Sequence, residues 1–341
     1  MSARLTLHVP ASVTTRFLVA TGEPATPDAA YLRDVLGRTG PAHTARDLLG
    51  SPLLTVDGGH DAPTRWSDRL HALGGPADSL ERVLGATRHI VVTSVAAPAA
   101  QPRHAQAARL AARTLAAATG GVAVDLAANQ VLVRDRGSPA EPERFVLGQE
   151  WVGVFLSLEN RPGRPSPPAP PIRQAGSTSG DAPGREREAE DGAGLTRVRA
   201  ETAGLHRFGL PELVVRGVPY GHMLTAANLL RGLSYRLFAE QREWLGGGRR
   251  AGEREILARR ILDGDDVLRF WGARPDGGGS VPVRLARGVA ECPEYPERPE
   301  RAVALEALPL PGHGGRDWWD EWAGPALPTL ARADPAPGPS N

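Results

Sequence analysis

His206, Glu212 and His222 are the residues whose types and spacing could do chemistry. An imidazole can exchange a proton near neutral pH, and a carboxylate can orient it or take part in the transfer. A strand end, a turn and a helix start would have to converge them, which makes the three a candidate hydrolytic acid/base set. As metal ligands they lack an HExxH or comparable spacing, and a metal site needs three or four ligands held together. Glu212 follows Pro211 and equally reads as a turn carboxylate facing Arg207 or Arg216, a pairing worth little if exposed.

Other groups point to binding. Trp271 and Arg274 lie close together in Phe-Trp-Gly-Ala-Arg-Pro, where an indole and a guanidinium near a turn could form a stacking platform. Trp318 and Trp322 belong to the densest aromatic site of a chain that is 5% aromatic. Four residues apart, they are expected to share one helix face, either docked on the core or presented to a partner. Asp263, Asp265 and Asp266 make an acidic cluster expected in a solvated turn before a strand, since the alternating ligands and closing glutamate of a calcium loop are missing. The glycines at 246 and 248 end a helix instead of opening one, so they are no dinucleotide loop. The stretch from Gly176 to Gly180 has threonine where a nucleophile elbow needs serine.

Composition removes whole classes of mechanism. All 40 basic residues are arginine, which rules out a P-loop, a protein-kinase site and a lysine Schiff base. The single cysteine, Cys292, forbids disulfides within the chain and any multi-cysteine zinc site, and no cofactor is expected. Forty basic residues balance 39 acidic ones, and no arginine stripe interleaved with aromatics appears, so nucleic acid is not an expected partner. No apolar run is long enough to cross a bilayer and no charged leader precedes an apolar core, which predicts a cytoplasmic protein away from membranes.

The elements that must position these residues read as an α+β fold. Two strand-helix-strand units, around helices 103–119 and 221–245, are expected to pack on mixed or antiparallel sheet. The first helix lies between Pro102 and the Gly120-Gly121 pair, with Ala105, Ala108, Ala112, Leu115 and Ala118 on one face. The second starts near Pro219 and stops at Gly246-Gly247-Gly248. Strands are expected at 89–94, 122–126, 151–156, 198–202, 213–215, 266–271 and 281–285. Residues 1–84 form an N-terminal segment with strands near Leu5 and Phe17, short helices over 29–36 and 44–49, and a strand 53–56 running into a turn at Asp57-Gly58-Gly59. The first half of the core would span 85–159 and the second 195–324. Between them, 160–194 reads as a disordered proline-, glycine- and charge-rich insert or a polyproline recognition peptide, and 325–341 as a disordered tail.

The His-Ile-Val-Val strand, the Gly-Gly-Val-x-Val and Trp-Val-Gly-Val-Phe segments and above all Gly204-Leu205-x-x-Phe208-Gly209-x-Pro211-Glu212-Leu213 carry a resemblance. Over about residues 85–245 the chain resembles the bacterial family catalogued as domain of unknown function 4261. The resemblance implies an α+β domain and brings no reaction or catalytic residue. The sequence therefore points to a non-enzymatic protein-binding or accessory module with a possible protein partner, with a hydrolase using His206 and Glu212, and His222 beside them, as the alternative.

Overall fold

The computed structural model describes residues 3–22, 27–61, 70, 73–132, 141–159, 197–288, 304–310 and 316–327. The expected insert at 160–194, the Gly176–Gly180 stretch, Cys292 and the last fourteen positions lie outside them. The chain folds as α+β, with two main sheets and a helix against each.

In chain order the first half contains β1 (Arg4–Val9), β2 (Val13–Thr21), α1 (Ala29–Val35), α2 (Gly40–Leu48), β3 (Leu54–Asp61), α3 (Ala77–Leu84), β4 (Arg88–Ala96), α4 (Arg103–Ala118), β5 (Val122–Asp125) and β6 (Gln130–Val131). The strands β2 to β6 form a five-stranded antiparallel sheet in the order β3-β4-β2-β5-β6. The β2 strand lies between β4 and β5, so the N-terminal segment supplies the middle of the sheet. Val-Thr-Thr-Arg-Phe-Leu-Val-Ala suits that place, because β-branched and aromatic side chains fit a pleated surface covered on both faces. The alanines of α4 let its backbone approach the sheet closely, and Ala105, Ala107, Ala108, Ala111 and Ala112 are wholly buried. Its C-terminal turn closes through Gly120 at φ +60°, as the glycine pair predicts. At Gly121 a Cβ would lie 2.7 Å from the Ala20 carbonyl oxygen.

The second half contains β7 (Gly153–Glu159), β8 (Arg197–Ala203), β9 (Glu212–Pro219), α5 (Met223–Gly246), β10 (Gly252–Leu257), β11 (Arg259–Asp263), α6 (Gly264–Phe270), β12 (Ser280–Gly288) and β13 (Ala304–Leu308), then a helical segment over Arg316–Ala326. Six strands pair in the order β11-β12-β13-β9-β8-β7, with β13 and β9 parallel and the other pairs antiparallel. The long α5 packs on this sheet through Ala226, Leu229, Leu230, Leu233 and Leu237. The two halves share one apolar core, and β1 crosses to pair with β10.

Several expected elements change. Residues 264–270 form a helix, not a strand, because Asp266 in the first turn reaches back to accept the Asp263 N–H at 3.2 Å. The strand of residues 54–61 continues through Asp57-Gly58-Gly59, absorbing the glycines as a register irregularity between Asp57 and His60. The expected tail also starts too early, since Ala326 and Leu327 are buried in the core.

Candidate functional site

The stretch from Gly204 to Leu213 is a short turn built around one carboxylate. Gly204 has φ +118°, and a Cβ there would lie 2.3 Å from the Trp151 carbonyl oxygen; Gly209 has φ +73°. Between them Leu205–Phe208 form one 3-10 turn, whose first N–H groups lack partners within the turn. Glu212 supplies them. Its Oε1 accepts the N–H of Gly204 at 2.9 Å and of His206 at 3.2 Å, while Oε2 accepts the N–H of Leu205 at 3.3 Å and the Thr202 hydroxyl at 2.8 Å. The Nδ1 of His206 also lies 2.8 Å from Oε1, so this nitrogen carries the proton in the bonded tautomer. A carboxylate at the N-terminus of a turn is favoured both by these donors and by the peptide dipoles.

Of the three acid/base candidates, the structure brings His206 and Glu212 together and separates His222. The β9 strand starts at Glu212 and ends at Pro219, and at about 3.3 Å per residue its ends are ~23 Å apart, with His222 beyond the far end. Side chains that distant cannot serve one reacting atom. Neither arginine expected to pair with Glu212 does so. Arg207 bonds to Asp125, and Arg216 lies 3.7 Å from Glu306.

The Arg207–Asp125 contact belongs to a buried ionic network that local motifs do not reveal. Asp125 Oδ1 accepts Arg207 Nη2 at 2.5 Å and the N–H groups of Ala127 and Ala128 at 2.9 and 3.0 Å. The indole of Trp151 is near two guanidinium groups, 3.5 Å from that of Arg109 and 5.3 Å from that of Arg207. Arg109 donates to both Glu141 oxygens, at 2.6 and 2.7 Å, and to the Gln149 carbonyl at 2.7 Å. Burial lowers the Arg109 pKa, and the bond to Glu141 works against that shift. The available signal was an arginine in the middle of an alanine face; its partner lies 32 residues away.

Each aromatic candidate finds a definite place. Trp271 is half-buried and meets Phe270 edge to face, with ring centroids 5.1 Å apart. The guanidinium near it is that of Arg231, 5.1 Å from the ring, whereas Arg274 is exposed. Burial lowers the pKa of Arg231 as well. Trp318 and Trp322 do not share a buried face. Residues 319–323 form an i→i+5 turn, which sets Trp318 over Ala323, and the buried pair is Trp318 with Trp319, perpendicular at 4.8 Å. Trp322 is 40% exposed.

This segment docks at the start of α5. His222 Nε2 lies 2.7 Å from Asp320 Oδ1, and the His222 ring is 5.9 Å from Trp319. Tyr220 and Leu224 flank His222 in sequence and are 54% and 52% exposed. Tyr220 and Leu224 thus lie two residues to either side of His222, and Trp322 two residues beyond its partner Asp320, so the 2.7 Å contact joins the two elements that carry the three exposed side chains. Exposed aromatic and aliphatic side chains on rigid supports are suited to burial against a partner.

The acidic cluster is committed to local structure. Asp265 Oδ1 accepts the N–H groups of Asp276 and Gly277 at 3.0 and 3.1 Å, and Asp266 lies 3.4 Å from both Arg236 and Arg269. Desolvation would raise the Asp265 pKa, but the backbone N–H groups of Asp276, Gly277 and Gly278 outweigh it and hold the pKa below its usual value. Among the described residues no group of three or more His, Cys, Asp or Glu side chains could hold a metal ion, and no helix is long and apolar enough to cross a membrane. No family model, curated protein or solved structure matches the chain.

Proposed function

We propose that the chain is a non-enzymatic protein-binding or accessory module acting in the cytoplasm, and that it engages its partner through Tyr220, Leu224 and Trp322. The observation that carries this reading is the exposure of Trp322 beside two buried tryptophans. The same short segment invests Trp318 and Trp319 in docking and leaves a third indole at the surface. Tryptophan and tyrosine are enriched among residues that dominate interface energetics. The resemblance to the domain of unknown function 4261 family forms part of the proposal and adds no reaction. What supports it is that Gly204, Gly209 and Glu212 each have a definite task in building one turn.

The test is affinity capture from a lysate of the native host, comparing the unmodified chain with Trp322→Ala and Tyr220→Ala variants. A protein recovered by the first and lost by both variants supports the reading, and equal recovery by all three contradicts it. The alternative, a hydrolase using His206 and Glu212, draws on their 2.8 Å contact. It requires a hydrolytic activity abolished by His206→Ala and insensitive to Trp322→Ala.

A further inference from the structure

We propose that the surface of Tyr220, Leu224 and Trp322 binds the chain's own proline-rich stretch, Pro162 to Pro171; this rests on the binding-surface reading above and names one occupant for it. The first argument is where the stretch begins and ends. Glu159, the last residue of β7, pairs with Arg197, the first residue of β8, and Arg197 pairs with Pro219, the last residue of β9. Both are fastened there, since Glu159 Oε2 accepts the Gly217 N–H at 3.0 Å and Arg197 Nη1 donates to the Gly217 carbonyl at 2.9 Å. Residues 160–196, outside the described residues, therefore leave and re-enter the fold at the sheet end from which Tyr220 continues. Two strand spacings put Glu159 about 10 Å from Pro219. Three extended residues span about 10 Å, so Pro162 is within reach of Tyr220.

The second argument is chemical complementarity. Six of the ten residues from 162 to 171 are proline, and proline-rich peptides are recognised by surfaces of exposed aromatic rings because little conformational entropy is lost on binding. From Arg161 to Arg173 the stretch carries Arg161, Arg164 and Arg173 and no acidic residue, while Asp320 and Glu321 stand exposed next to Trp322. Ten residues in a polyproline conformation would span ~31 Å, ample to cross the His222–Asp320 contact. Attachment through the same chain makes the encounter intramolecular, so a contact that is weak between separate molecules suffices.

The experiment uses the full chain with residues 162–171 replaced by a glycine/serine sequence of equal length, and a fluorescein-labelled peptide of residues 160–173 as the probe. The replaced chain is expected to bind the peptide saturably. The unmodified chain should bind it at least tenfold more weakly because its own stretch competes, and Trp322→Ala in the replaced chain should weaken binding at least tenfold. Tyr220→Ala serves in the same way if Trp322→Ala fails to fold. Absence of saturable binding, binding indifferent to both substitutions, or equal binding by the replaced and unmodified chains overturns the proposal. A captured partner that depends on Trp322, together with no peptide binding, overturns this inference and leaves the partner-binding reading standing. Trp322-dependent peptide binding with no Trp322-dependent partner does the reverse.

Discussion

Arg207 donates through Nη2 to Asp125 at 2.5 Å with both side chains wholly buried, joining the turn before β9 to the end of β5. The pair ties the two sheets at a point where neither charge can reach water. Removing one partner would leave the other charged and buried, which costs about 3–5 kcal/mol. Arg207→Ala and Asp125→Ala should each lower stability by that amount in chemical denaturation. The Arg207→Ala, Asp125→Ala double variant should lose less than the sum of the two single losses. Strict additivity would show that the pair is not coupled.

Glu212 should matter more to stability than His206, although the two side chains touch. The carboxylate holds three backbone N–H groups and the Thr202 hydroxyl, whereas the His206 ring meets it through Nδ1 alone. Charge-assisted bonds of this kind contribute about 1.5–3 kcal/mol each, so Glu212→Ala is expected to cost at least ~3 kcal/mol. His206→Ala should cost about 1 kcal/mol. Urea denaturation of the two variants compares them directly, and a larger loss for His206→Ala would contradict the assignment of Glu212 as the anchor of the turn.

The helices of the two halves were legible because proline and glycine punctuate them. Pro102 and Gly120 bracket Arg103–Ala118, and Pro219 and the glycine triplet bracket Met223–Gly246. Residues 304–308 gave no strand signal. Ala-Leu-Glu-Ala-Leu favours a helix locally, and it is a strand because it fills the place between β12 and β9. Conversely, Val267-Leu268-Arg269-Phe270 reads as a strand by composition, and the aspartates before it make it a helix. For the candidate site, the His206–Glu212 contact followed from short spacing. The surface at Trp322 did not, because which tryptophan is buried depends on a five-residue turn and on docking against α5.

Trp319 and Trp322 should behave oppositely on truncation. Trp319 is buried against Trp318, and removing so large a buried side chain costs about 3–5 kcal/mol. Trp322→Ala, at an exposed position, should change stability by less than about 1 kcal/mol. Thermal unfolding of the two variants checks this. A collapse of the fold on Trp322→Ala would assign that indole to structure and not to recognition.

His104, in the first turn of α4, predicts an acid sensitivity. Desolvation lowers its pKa from the ordinary 6.5, and its Nδ1 has no hydrogen-bond partner among the described residues. Between the lowered folded value and 6.5 the unfolded chain binds the proton and the folded chain does not, so stability rises with pH across that window. The contribution is complete above about 6.5 and declines as the pH falls toward the folded value. Denaturation midpoints measured between pH 7 and pH 5 should fall less steeply for His104→Gln than for the unmodified chain. Identical slopes would remove His104 as the source.

The most direct test of partner binding is photo-crosslinking in the native host, with a photoreactive amino acid placed at Trp322 in one variant and at Leu158 in another. Leu158 is 55% exposed on the edge strand β7, at the sheet end from which Tyr220 continues, and serves as the neighbouring position that reports how far the crosslinked surface extends. A discrete crosslinked protein from position 322, weaker from position 158 and reduced at least tenfold by Tyr220→Ala, is the predicted result. No crosslink from position 322, or crosslinks from it that Tyr220→Ala leaves unchanged, would contradict a recognition surface around Trp322.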